Sequence, residues 1–80
     1  MEIMEEGQAL TISDYARRRM SARGLSEFHV WYCMFYHKKE YRVGKDTVWV
    51  CVLPDHRNMK VRVEYGSYNP IIVLDAFTHK

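Results

Sequence analysis

From Met59 to Tyr65 the chain alternates without a break. Met59, Val61, Val63 and Tyr65 are apolar or aromatic, and Lys60, Arg62 and Glu64 between them are charged. A period of two marks a strand with one face on a core and one in water. The segments around it follow the same logic. Tyr41–Val43 and Thr47–Leu53 flank Gly44-Lys45-Asp46, a hairpin loop, and Pro54–Asn58 carries turn chemistry. After a second turn at Gly66–Pro70, "IIVLDAF" is apolar enough for a strand covered on both faces.

The first half has a different period. Ile12, Tyr15, Ala16, Arg19 and Met20 recur at helical spacing, and Thr11 to Asp14 has the spacing of a helix start. Gly24 stops that helix, with Arg23 in its last turn. Ser26 caps a second helix, with Leu25 and Val30 spaced as a hydrophobic staple. Its predicted inward stripe is Val30, Trp31, Met34 and Phe35, and Lys38 and Lys39 close its negative end. Helices followed by strands predict an α+β fold: two N-terminal helices packed on a three- to four-stranded antiparallel sheet. The expected organisation is one domain, 1–80. It comprises an acidic segment 1–10, a helical hairpin 11–38 and an antiparallel sheet 40–78.

Eighty residues bury a small core, so two Trp, six Tyr, three Phe and five Met must supply much of its volume. The net charge of +2 hides a division, because Glu2, Glu5 and Glu6 sit in the first ten residues with no base among them. Residues 11–80 therefore set 12 Lys and Arg against seven acids, an excess of +5. That permits attraction to a polyanion without the charge density of a dedicated DNA clamp. With no leader, lipidation motif or long apolar run, the expected location is the cytoplasm, with Cys33 and Cys51 reduced and no membrane partner.

Three constellations carry candidate chemistry. On the alternating strand, Lys60 and Arg62 share a face, roughly 7 Å apart along the chain. With His79 near the chain end they form a set able to bind phosphate and move a proton without a metal. A solvated strand face and a frayed tail are the ordinary alternative. His29, Cys33 and His37 recur every four residues on the second helix, but the outer two stand roughly 12 Å apart, too far for one ion. A pair joined by Cys51 or His56 is the remaining route to zinc; a half-buried stripe is the expectation, with no metal and no cofactor. Tyr32, Tyr36, Tyr41 and Tyr68 are candidates for stacking on unpaired bases, or for the rim of the core.

"YARRRMSARGLS", Tyr15–Ser26, resembles the signature of a small prokaryotic domain family headed by His-Ala-x-x-Arg-Met-x-x-Arg-Gly-Ile-Ser. Ala16, Arg19, Met20, Arg23, Gly24 and Ser26 match it, and Leu25 replaces Ile. The resemblance, in outline over residues 11–78, implies the RelE-like fold of toxins that cut RNA without a metal, often on the ribosome. It implies Arg62, His79 and Arg19 as phosphate or acid/base groups, with Lys60 and Lys80 in support. Arg57, Arg17 and Arg18 are further candidates for binding RNA, the last two from the solvated face of the first helix. Tyr15 stands where the family has histidine. Such a replacement fits either a tyrosine acid/base or a retired enzyme kept as a protein- or RNA-binding accessory module of a phage or mobile element. The implied partners are RNA or the ribosome and an antitoxin or other protein. An open strand edge also allows a homodimer.

Overall fold

A computed structural model describes residues 9–79. The acidic residues Glu2, Glu5 and Glu6 and the candidate Lys80 lie outside them. In chain order the elements are β1 (Leu10–Ile12), α1 (Asp14–Ala22), α2 (Glu27–Tyr36), β2 (Lys39–Val43), β3 (Asp46–Val52), β4 (Asn58–Glu64) and β5 (Ile71–His79). The fold is α+β, as the pattern predicts. The sheet has five strands in the order β1-β5-β4-β3-β2, and β1 runs parallel to β5 while every other pair is antiparallel.

The parallel edge strand corrects the expected start of the helical region. Ile12 is buried beside Val73 on β5, not on a helix face. Helix α1 begins two residues after the predicted cap, at Ser13, whose Oγ accepts the Ala16 N–H at 3.1 Å. The Ser13 N–H is itself held by the Val73 carbonyl at 3.1 Å, so strand pairing fixes where the helix can begin. Its end follows prediction. Gly24 takes a φ of +73°, and the Leu25 N–H returns to the Met20 carbonyl at 2.8 Å, closing the turn over two buried apolar side chains.

Helix α2 starts at Ser26, where His29 occupies the third helical position and its Nδ1 accepts the Ser26 N–H at 2.9 Å. Its buried face is displaced from the predicted stripe. Val30 and Cys33 are fully buried, Tyr32 and Met34 pack partly on the core, and Phe35 is exposed and stacked beside Trp31. The narrower side chains face the sheet because α2 lies directly over it, and the large rings spread to the flanks. The helix ends before Lys38. His37 caps it instead, donating from Nδ1 to the Cys33 and Met34 carbonyls at 3.1 and 3.0 Å, and Lys39 opens β2.

Both helices lie on one face of the sheet, α1 over β5 and α2 over β3 and β4. One continuous core joins Met20, Leu25, Val30, Cys33, Leu53, Met59, Val61 and Val73. The β2–β3 hairpin closes on Val43 and Asp46 through the two-residue loop Gly44-Lys45, one residue shorter than predicted. Strand β4 buries Met59, Val61 and Val63 as its alternation requires, but it ends at Glu64, leaving Tyr65 exposed. Strand β5 buries Ile71, Val73 and Ala76, while its other face is only half covered. Among the described residues the sheet thus keeps one face without helices. No helix among the described residues is long and apolar enough to cross a membrane.

Candidate nucleic-acid interface

Strand register builds the helix-free face in four rows. Val52, Asn58 and His79 form the first, and Lys39, Val50, Lys60 and Phe77 the second. The third is Tyr41, Val48, Arg62 and Asp75, and the fourth Val43, Asp46 and Glu64. Side chains paired across antiparallel strands point to the same face, so each row is a line of neighbours. Val48 is buried here, apart from the main core, under the long side chains around it.

Charge divides this face into halves. The rows holding Asn58, His79, Lys39, Lys60 and Phe77 contain no carboxylate. Lys60 Nζ lies 5.9 Å from the Tyr41 ring centroid, and Arg23 reaches over the sheet edge to within 5.7 Å of the Phe77 ring centroid. Cations and aromatic rings therefore interleave across β2, β4 and β5. In the other half, acids occupy the cations. Arg62 Nε is bonded to Asp46 Oδ2 on the neighbouring strand. Asp75 takes both Arg19 Nε and Arg23 Nη1 at 3.3 Å, and Arg23 Nη1 also donates to the Ala76 carbonyl at 2.8 Å.

Two facts of the fold place those arginines on Asp75. Strand β1 covers only Ile71–Val73, so among the described residues no strand pairs with the outer edge of β5 beyond them. A bulge between Arg62 and Val63 leaves Leu74 without a cross-strand partner and turns Asp75 toward that edge. Arg19 on α1 and Arg23 at its C-cap, one turn apart, then reach around to a carboxylate that is only 17% exposed. Arg23 and Asp75, both partly buried, satisfy each other through a hydrogen bond, while Arg19 Nε stands by the same carboxylate as an ion pair.

The predicted site residues separate accordingly. Lys60, Arg62 and His79 share the helix-free face. Arg62 and His79 nevertheless stand four residues apart along the strands, roughly 13 Å. Tyr15 is 52% exposed on α1, not turned inward, with the Arg19 guanidinium 5.1 Å from its ring centroid. Arg17 forms a loose pair with Glu27 at 3.6 Å, and Arg18 is exposed. Arg57 is held by Asp55 in the β3–β4 turn at 2.8 Å, and hydrogen bonds from Arg57, its backbone N–H first, hold the Asp55 carboxyl below the usual range. Tyr15 and Arg19 thus stand at the sheet edge, and His79 two rows from Arg62.

The histidine–cysteine stripe of α2 resolves into structural duties. His29 is the helix cap, and His37 stacks on Trp49 with its Nε2 3.3 Å from Glu40. Cys33 contacts Cys51 in the core; burial first, then the neighbouring thiol, pushes the Cys33 thiol far above its ordinary pKa, and burial raises Cys51 as well. Among the described residues no three His, Cys, Asp or Glu side chains gather as a metal site.

Asp46, Asp75 and Phe77 were not singled out from sequence. Asp75 had a visible signal, since a carboxylate inside "IIVLDAF" demands a partner. Comparison with protein-family models, curated proteins and solved structures finds no match. The geometry stands alone.

Proposed function

We propose that this chain is an RNA-binding protein on a RelE-like α+β fold, taking single-stranded RNA on the helix-free sheet face. The observation that supports it is the half-face where Lys39 and Lys60 lie among Tyr41, Phe77 and His79 with no acid between them. Unpaired bases stack on aromatic rings while nearby cations take the phosphates, and this sheet offers the exposed Tyr41 and the half-buried Phe77 beside Lys39 and Lys60. The ribosome or a free messenger would supply such RNA, and an antitoxin-like protein is a further candidate partner.

Metal-independent cleavage is the second reading, favoured by Lys60, Arg62 and His79 sharing one face. It requires a cation and a proton carrier on the same phosphate. Arg62 is committed to Asp46 and stands two rows from His79, which favours binding over cleavage.

The test is fluorescence anisotropy with a labelled single-stranded RNA, titrated at several salt concentrations, beside total-RNA integrity on expression. Binding that weakens with salt and falls in Lys60→Ala and Phe77→Ala supports the proposal. RNA degradation abolished by Arg62→Ala or His79→Ala would replace it with the ribonuclease. Absence of RNA binding, with a protein complex indifferent to those two substitutions, would replace it with a protein-binding module.

A further inference from the structure

One edge of the sheet is β2, "KEYRV", all five of whose residues are exposed and which, among the described residues, pairs only with β3. The two-residue loop makes Val43 and Asp46 a hydrogen-bonded pair, so alternation turns the main-chain groups of Tyr41 and Lys39 toward β3. The main-chain groups of Glu40 and Arg42 are then the ones facing outward, ready for another strand.

We propose that β2 pairs antiparallel with β2 of a second copy of this chain, about a two-fold axis through Tyr41. The charge pattern selects both the occupant and the register. Centred on Tyr41, Glu40 of each chain lies opposite Arg42 of the other, in two hydrogen-bonded pairs with opposite charges. Shifting the axis to Glu40 sets glutamate against glutamate, and shifting it to Arg42 sets arginine against arginine, both unfavourable. The strand is complementary to itself in one register only. Lys39, the kind of residue that guards an edge, falls opposite Val43 of the other copy and meets no like charge.

In the single chain Glu40, itself exposed, lies against the half-buried His37, and Arg42 lies over the exposed Tyr65 ring at 3.7 Å to its centroid. Their side chains leave from the helix side of the sheet, opposite Trp49 and Thr47. The charge pairing therefore lies on the helix side, while on the RNA face Tyr41 and Lys39 of each copy meet Tyr41 and Val43 of the other along the seam. Because the axis runs normal to the sheet, the helix-free faces of both copies lie on the same side, forming one ten-stranded surface.

Sedimentation equilibrium of wild type, Glu40→Arg, Arg42→Glu and the double exchange tests this, with circular dichroism to confirm that each folds. The expectation is a concentration-dependent wild-type dimer, weakened at least ~5-fold by either single reversal and restored in the double exchange. Opposed Tyr41 Cα atoms would stand roughly 4.5 Å apart, within disulfide range. Tyr41→Cys should accordingly give an oxidised covalent dimer and Lys39→Cys should not, since Cys33 and Cys51 are buried and silent. A wild-type chain that stays monomeric at millimolar concentration overturns the proposal. So does a dimer indifferent to both reversals, or one that Lys39→Cys links as readily.

Discussion

The two faces of this sheet are built from the same strands and solve different problems. On the helix side, Met59, Val61 and Cys51 are fully buried, and apolar packing does the holding. On the other side the same strands present Lys60, Arg62 and Val50, and order comes from Arg62 with Asp46 and from Arg19 and Arg23 with Asp75. One face is specified by volume and the other by charge. A face specified by charge can be changed without unfolding the protein, and that makes it the place to look for function.

The comparison breaks most sharply in the core. Met59→Ala or Leu53→Ala should cost about 2–5 kcal/mol, read by urea unfolding. Val52→Ala, on the exposed end of the other face, should stay within about 0.5 kcal/mol. Comparable losses at the two positions would erase the distinction. Asp75→Asn comes next. Removing the shared carboxylate should cost roughly 1 kcal/mol, reduced by the partial exposure of both arginines, while tightening RNA binding at low salt because two cations are released. Weaker RNA binding in Asp75→Asn would mean that the arginines matter for shape, not charge.

The buried thiols give a pH signature belonging to the helix side alone. Their pKa values are raised by folding, so the unfolded chain loses its thiol protons first. The stability this contributes is complete below the ordinary thiol pKa of ~8.5 and is lost as pH rises above it. Chemical denaturation at alkaline pH should show that decline in wild type and a smaller one in Cys33→Ala/Cys51→Ala. The smallest effect is on the open face. Lys60→Ala should leave stability within about 0.5 kcal/mol and lower the salt slope of RNA binding by about 1, measured by anisotropy.

The elements that carried a full period were legible. Strand β4 shows three apolar and three charged positions in strict alternation, and the structure buries and exposes them accordingly. Strand β1 was not, because Leu10–Ile12 is too short to display a period and Ile12 happens to fall in step with the helix after it. The stripe of α2 drifted because its apolar residues run nearly all round, leaving size to decide which side meets the sheet. In the site, the face shared by Lys60 and Arg62 follows from alternation alone. The tie between Arg23 and Asp75 crosses 52 residues and depends on an open strand edge, which no local pattern encodes.

The bulge in β5 also keeps count. Val73 and Ala76 both face the helices although three positions separate them, where a regular strand would set them on opposite sides. Leu74 is thus a surplus notch on the ruler, skipped between Val73 and Asp75, which pair with the adjacent Val63 and Arg62 on β4. Excising that one residue would leave Asp75, Phe77 and His79 on the open side and Ala76 and Thr78 on the closed side. The far end of β5 therefore keeps its inside-out order in spite of one inserted amino acid, and that insertion is where the strand can lose length without losing phase.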